Sequence, residues 1–432
     1  MTAPAPGETL RVHKREAAMR NVLLLAALFI SSNVATAGTA SLACPKGDTV
    51  FTSLPADLTQ VSAIVPLGNL NPAGHTTPTR HIYVYPKMTT PGDLSTAVTL
   101  KVLSPGKAEL VAVEYHPSAP DWSLHIKPCK DISLYYFHIK TLPTALMTAI
   151  GSMAVGSVTF PGGMLAKPVS IDLAAGQFVG TAKTFDIGLH DFRKTPRPFV
   201  NQARYKVDLP VLFAAFPALG ADPVAPVVAP RIIPQALYNR CAIDYFTPAP
   251  GAALTAKLAD FDGAPLASGT PRCHSHMQDV LNTAQGNWWN DLDPVHDALF
   301  QEEFAIALVN WNVTPTVQLF SLNENVPGFT SALLDPGASP DDVNSSFEFP
   351  VREGPQRTNR RFAEITDDAL YCYDLVRIHR GGPRLNAVIL LQVTAGPGGP
   401  RTKLNIELVR TSRCPALPLP WTFGSGVAAY YR

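Results

Sequence analysis

The chain has 432 residues and a formal net charge of +1 at pH 7, from 35 Lys and Arg against 34 Asp and Glu. This balance gives no electrostatic basis for binding nucleic acid or another acidic polymer. Hydrophobic residues make up 46% of the chain, which is enough to bury a sizeable core. A chain of this length is expected to form more than one domain.

Residues 1–37 contain the segments of an export signal in the right order. Basic residues precede an apolar run of nine residues, 22–30, and Ala35-Thr36-Ala37 fits the small-x-small rule of a signal-peptidase site. A membrane-spanning helix needs about 20 apolar residues, so we predict a cleaved signal peptide and no spanning segment after its removal. A start at Met19 would give a conventional signal opening. The predicted location is secreted or periplasmic.

The cysteine count permits disulfides in an exported chain, although the pairing cannot be read from the sequence. No C-x-x-C pair is present, which argues against a cysteine-ligated zinc ribbon. In an alternative, Ser41-Leu42-Ala43-Cys44 acts as a loose lipobox and the protein is a lipoprotein anchored through Cys44. The six cysteines are Cys44, Cys129, Cys241, Cys273, Cys372 and Cys414.

Residues 45–212 are rich in short β-prone runs. Residues 122–127 alternate between polar and apolar side chains, and residues 135–139 are largely aromatic. Residues 48–51 are a further strand candidate, and residues 144–153 are a helix candidate. The 41 prolines and 29 glycines of the chain also favour strands and loops over long helices.

The density of prolines in residues 213–235 predicts a linker. Residues 236–432 then predict a second all-β domain of unknown family. In this part Trp288 and Trp289 stand beside Gln and Asn side chains. Such a pair suits sugar stacking, but it also suits anchoring in a hydrophobic core.

Histidines mark the candidate chemistry of the first unit. His75 and His81 flank a proline-containing turn that leads into a strand, and neighbouring neutral imidazoles are common zinc ligands. His138 lies within the aromatic strand. Strand alternation places Asp186 and His190 on one face of a later strand. Each of these residues also has an ordinary interpretation, as a loop histidine, a core histidine or a solvated carboxylate.

These elements, in this order, resemble the lysostaphin-type zinc metallopeptidases, whose fold is the duplicated-hybrid-motif β-barrel. Tyr136-Phe137-His138-Ile139 is similar to the Tyr-x-His-Leu strand of that family. Gly176-Gln177-Phe178-Val179-Gly180 is similar to its Gly-Gln-x-Ile-Gly turn, and Gly188-Leu189-His190 to its His-Leu-His strand. The resemblance covers roughly residues 60–193, under a third of the chain.

The resemblance implies a zinc ion held by His75, His81 and His190, with His138 as the catalytic histidine. His81 stands in the place of the aspartate in the family's first ligand pair. Gly188 stands in the place of the first histidine of His-Leu-His, and glycine cannot transfer protons. The predicted fold class is therefore mainly β, with a lysostaphin-peptidase-like β-barrel followed by a second all-β domain.

Two functions are compatible with these residues. The first is an exported protein with a divergent zinc-metallopeptidase-like domain that hydrolyses peptides or peptidoglycan. The alternative is a non-catalytic envelope protein that binds a glycan, peptide or protein partner. The sequence lacks a Gly-x-Ser-x-Gly elbow and a phosphate-binding loop, so serine-hydrolase and nucleotide chemistry have no support.

Overall fold

The computed structural model describes residues 43–72, 74–90, 93–159, 163–205, 207–208, 232–233, 235–273, 276–290, 304–323, 326–335, 338–416 and 420–432. The predicted signal peptide lies outside the described residues. So does the predicted linker, apart from residues 232–233 and 235. The described residues all belong to one compact unit, Leu42–Arg432.

The N-terminal part of the described chain is built from short strands and three short helices. The helices are α1 (Thr144–Ile150), α2 (Gln235–Tyr238) and α3 (Pro248–Thr255). The strands are β1 (Val61–Val65), β2 (His81–Pro86), β3 (Leu100–Leu103), β4 (Ala108–His116), β5 (Asp121–Cys129), β6 (Ile132–Ile139), β7 (Val158–Thr159), β8 (Leu165–Leu173), β9 (Phe178–Ala182), β10 (Phe185–Asp191), β11 (Val207–Asp208), β12 (Ile232–Ile233) and β13 (Asn239–Arg240).

Nine of these strands form one antiparallel sheet within the described residues. Hydrogen-bonded neighbours follow the order β1, β2, β10, β6, β5, β4, β8 and β7, and β13 pairs with β10. The path ends at two different strands, β1 and β7, so the sheet is an open half-barrel. Strand β10 is an interior strand, between β2 and β6.

The elements predicted from periodicity are found with small shifts. Strands β5 and β6 confirm the predicted strands, and α1 confirms the predicted helix. The helix ends earlier than predicted because Gly151 takes a φ of 69° and donates its N–H to the carbonyl of Met147. The predicted strand at residues 48–51 is wrong. The amides of Val50 and Phe51 both donate to the carbonyl of Tyr245, which is not a strand ladder.

Alternation along the strands buries one face of the first sheet. Leu124 and Ile126 of β5 pack with Leu134 and Tyr136 of β6, and all four are fully buried. The same core also receives side chains from residues 241–258. That segment lies beyond the predicted linker and yet packs on the first sheet. The division into domains at residues 213–235 stays a prediction.

Three disulfides use all six cysteines: Cys44–Cys129, Cys241–Cys273 and Cys372–Cys414. A sulfur in a disulfide cannot also carry a lipid thioether. The alternative in which Cys44 is lipidated is therefore incompatible with the Cys44–Cys129 bond.

The C-terminal part of the described chain forms a second nine-stranded antiparallel sheet. Its strands are β14 (Gly286–Trp289), β15 (Ala305–Asn310), β16 (Gln318–Leu322), β17 (Ser345–Glu348), β18 (Tyr371–Tyr373), β19 (Arg377–Ile378), β20 (Val388–Gly396), β21 (Gly399–Val409) and β22 (Ala428–Tyr431). Their order in the sheet is β18, β20, β21, β22, β14, β15, β16, β17 and β19. The prediction of a mainly β protein is confirmed.

Aromatic side chains fill the core of the second sheet. Phe320 packs edge to face against Phe362 and Tyr373, and all three are fully buried. Trp288 and Trp289 are also buried, at 0% and 1% exposure. Both tryptophans are therefore core anchors, and neither ring is available for sugar stacking. Among the described residues, no helix has the length and apolar character needed to cross a membrane.

The aromatic core gives the first prediction. We expect Phe320→Ala to lower the free energy of unfolding by about 3–5 kcal/mol, because it leaves a cavity among packed rings. Phe178→Ala is the matched control, since Phe178 is 38% exposed, and it should change stability by less than about 1 kcal/mol. Urea denaturation of both variants measures the difference. Equal losses would contradict the assigned core.

Candidate functional site

Strands β2, β10 and β6 bring most of the predicted residues onto one face of the first sheet. On β10, Gly188 pairs with His81 of β2, and Asp186 pairs with Tyr83. From the other side, Tyr135 of β6 pairs with Gly188. Side chains directly opposite each other on neighbouring strands project from the same face. The register therefore makes Asp186 the diagonal neighbour of His81 on this face.

His81 and Asp186 form a buried pair of polar groups. His81 Nε2 lies 3.3 Å from Asp186 Oδ2, but the contact lacks hydrogen-bond geometry, and His81 Nε2 has no hydrogen-bond partner. Burial holds the pKa of His81 well below its ordinary value. Burial also raises the pKa of Asp186 to about 7, against the opposing charge of His138. A neutral imidazole thus faces a carboxylate that resists ionisation.

His138 stands at the edge of this pair, with its side chain half exposed. Its Nδ1 donates to Asp121 Oδ2 at 2.8 Å, and its Nε2 lies 3.5 Å from Asp186 Oδ2. The hydrogen bond to Asp121 raises the pKa of His138 against the effect of burial. The backbone of His138 has a φ of 68°. Such a conformation is strained for a non-glycine residue and is found more often at functional sites.

His75 approaches from a loop before β2. Its ring centre lies 5.1 Å from that of His81, edge to face. Its backbone exchanges two hydrogen bonds with Asn71, at 2.7 and 2.9 Å. Burial, assisted by the charges of Arg80 and His138, lowers the pKa of His75 to about 4. His75 is therefore neutral at pH 7, which is the state that a metal ligand requires.

His190 has different neighbours, because the ring of Tyr135 stands over Gly188. A Cβ atom at Gly188 would lie 1.9 Å from Tyr135 Cζ. The Tyr135 ring centre is 5.5 Å from that of His190 and 6.4 Å from that of His81. Tyrosine thus fills the space above the strand position between Asp186 and His190. The structure brings His75, His81 and His138 together, with Asp186, and places His190 beyond the tyrosine ring.

Within the described part of the chain, no group of three or more His, Cys, Asp or Glu side chains is placed so that it could hold a metal ion. The zinc-binding role of His75, His81 and His190 and the catalytic role of His138 stay predictions. Asp121 was missed by the sequence reasoning, because its contact with His138 depends on the pairing of β5 with β6.

The predicted Gly-Gln turn is present between β8 and β9. Gly176 has a φ of 75°, a conformation that favours glycine. The side chain of Gln177 accepts a hydrogen bond from the amide of Ala174 at 2.8 Å. Strand β9 then pairs with β3 in a separate two-stranded sheet. The motif therefore shapes a turn outside the main sheet.

No protein family and no curated protein match this chain. Among solved structures, the crystal structure of a zinc-containing peptidase from Vibrio cholerae is similar over 32% of this chain, with 19% sequence identity and a TM-score of 0.17. The similar region spans 36% of the length of that peptidase chain. A similarity of this size supports no conclusion about fold or function.

The contact between Gly188 and Tyr135 gives the second prediction. We expect Gly188→Ala to destabilise the protein by about 1–3 kcal/mol, because the added methyl group collides with a packed ring. In a Tyr135→Ala background the same substitution should cost less, since the ring is gone. A double-mutant cycle by urea denaturation measures this coupling. Strictly additive effects would show that the two residues do not compete for one space.

The third prediction concerns pH. The pKa of Asp186 rises from 3.8 to about 7 on folding, so the folded state keeps a proton that the unfolded state loses in this window. The contribution of Asp186 to the free energy of unfolding therefore falls as the pH rises from 3.8 to about 7. In metal-free protein, Asp186→Asn should gain stability relative to wild type from about pH 5 to about pH 8.

Denaturation by urea at the two pH values measures this gain. Asp172→Asn is the matched control, because Asp172 is an exposed aspartate of β8, and it should follow wild type at both values. A gain for Asp186→Asn that is equal at both pH values would contradict the assigned titration of Asp186.

Proposed function

We propose that the protein is an exported, divergent zinc-metallopeptidase-like hydrolase that acts on peptides or peptidoglycan cross-bridges. Its working groups are the His–Asp cluster, defined as His75, His81, His138 and Asp186. The observation that carries the proposal is the surroundings of Asp186. This carboxylate is 2% exposed, and its ion-pair contacts within the described residues are the imidazoles of His81 and His138. A buried carboxylate beside the neutral imidazole of His81 is stabilised by a cation.

His75, His81 and Asp186 have the donor types of a zinc site, and two of their pairwise spacings are close to those of one. Tetrahedral bonds of about 2.0–2.1 Å set neighbouring ligand atoms about 3.3 Å apart, and His81 Nε2 lies 3.3 Å from Asp186 Oδ2. Two imidazoles on one such ion have ring centres about 5 Å apart, close to the 5.1 Å between His75 and His81. Because no described group is closed around one point, the partly exposed His75 must turn to complete the set. Asp186 then replaces His190 as the third ligand.

Zinc bound in this cluster would polarise a peptide carbonyl and lower the pKa of a bound water. His138 is the proton-transfer group that the chain supplies. Its Nδ1 is held by Asp121, so its Nε2 faces the cluster and remains free to accept or donate a proton. The side chain of His138 is also half exposed, as a group that contacts a substrate must be.

Two features support action outside the cytoplasm. The signal-like residues 1–37 precede the first disulfide-bonded cysteine. The three disulfides are bonds that persist in oxidising compartments and are rare in the cytosol.

A second candidate function is a non-catalytic protein that binds a peptide or protein partner on the face of the first sheet. The observation that favours it is the Tyr135 ring over Gly188, which fills the place where the resembling family has a histidine. A glycan platform on Trp288 and Trp289 has no support, because both rings are buried.

The fourth prediction separates these functions by metal content. Purified wild type should carry about one zinc ion per chain, and His81→Ala and Asp186→Asn should lose it. His190→Ala is the matched control and should retain zinc, because its ring lies beyond Tyr135. His138→Gln should retain zinc and lose peptide hydrolysis.

Elemental analysis of the folded proteins, after dialysis against zinc and then buffer, provides the measurement. A folded wild type without zinc would sink the hydrolase and leave the binding function. If His190→Ala loses zinc as His81→Ala does, His190 is a ligand, and the zinc site is the one that the sequence resemblance implies.

A further inference from the structure

The loop that carries His75 is an ordered hairpin, here named the His75 hairpin and defined as residues 66–80 without residue 73. Gly68 N donates to the carbonyl of Thr79 at 3.0 Å, and Thr79 N donates to the carbonyl of Asn69 at 2.8 Å. The reciprocal bonds between Asn71 and His75 close its tip. His75 therefore sits at the end of a hairpin and depends on that hairpin for its position.

Two asparagines of the second sheet hold this hairpin. Asn312 Nδ2 donates to the carbonyl of Pro66 at 2.9 Å, at the base of the hairpin. Asn323 Nδ2 reaches Thr76 Oγ1 at 3.4 Å, immediately after His75. Both asparagines are 1% exposed and Thr76 is fully buried. These contacts are shielded from water, so losing one leaves a polar group of the hairpin without its buried partner.

The two anchors lie at opposite ends of one rigid element. Asn312 follows β15 and Asn323 follows β16. These strands are paired through Asn310 with Gln318 at one end and Ala307 with Ser321 toward the other. Asn323 Nδ2 also donates to the carbonyl of Ala305, at 3.0 Å, which ties it to the start of β15. The His75 hairpin is therefore held at two separated points by a strand pair that is buried except at Asn310.

We infer that Asn312 and Asn323 are positioning residues, through which the second sheet sets the place of His75 in the His–Asp cluster. The effect of these two asparagines on metal affinity rests on the proposed function. His81 and Asp186 are fixed by strands of the first sheet, whereas His75 reaches the cluster from a loop. The two asparagines hold the hairpin in place, in the way that outer hydrogen bonds orient metal-ligating histidines.

The test uses the full-length chain with the double substitution Asn312→Ala/Asn323→Ala, and separately with Thr76→Val. Thr76→Val removes one acceptor at nearly constant volume and leaves both asparagines in place, so it serves if the double variant does not fold. Asn405→Ala is the matched control, because Asn405 belongs to the second sheet and its side chain bonds to Gln392.

Two readouts are taken on each folded variant. Amide hydrogen exchange of residues 66–80 should become about tenfold faster in the test variants, and the exchange of β10 should stay as in wild type. Cobalt(II) replaces zinc as a visible probe. Its absorption spectrum should change, and metal affinity should fall by about tenfold. Asn405→Ala should match wild type in both readouts.

Unchanged exchange across residues 66–80 in folded test variants would overturn the inference. So would faster exchange with an unchanged cobalt spectrum and affinity, because His75 would then not depend on the anchors. If wild type binds no metal but the hairpin exchanges faster in the variants, the proposed hydrolase fails. The anchoring of the hairpin by the second sheet then stands by itself.

Discussion

The arrangement of the first sheet centres on the burial of one carboxylate. Asp186 lies on β10, between β2 and β6, and the register turns it toward imidazoles and aromatic rings. Removing a carboxylate from water is costly unless a proton, a cation or good hydrogen bonds stabilise it. The raised pKa of Asp186 means that a proton stabilises this carboxyl group in the protein alone. In the proposed function, a divalent cation beside Asp186 and His81 stabilises it instead.

The lack of a side chain at Gly188 determines which ring occupies this part of the sheet face. Glycine leaves room above the strand, and the ring of Tyr135 occupies it. A side chain at residue 188 and the ring of Tyr135 would occupy the same space, so the structure can hold only one of them. Once the ring is in place, His190 lies apart from His81. Asp186, two residues before Gly188 on the same face, is then the β10 side chain beside His81.

Local patterns predicted much of this structure. Period-two alternation gave β5, and the aromatic run ending at His138 gave β6. The family resemblance grouped His75, His81 and His190 with His138, whereas in the structure His190 lies beyond the Tyr135 ring. The sequence could not reveal that Asp121 supports His138, because that contact follows from pairing between two strands. It also could not show the ring over Gly188, since packing between non-adjacent residues leaves no periodic signal.

The cluster combines two kinds of support. His81 and Asp186 are set by the hydrogen bonds of adjacent strands, which tolerate little movement once both faces are packed. His75 comes from a hairpin whose anchors lie more than 200 residues away in sequence. His81 and Asp186 therefore form the rigid part of the cluster, and His75 forms the adjustable part. In the proposed function, His75 is the ligand that must turn to complete the zinc site, and the second sheet holds the hairpin that carries it.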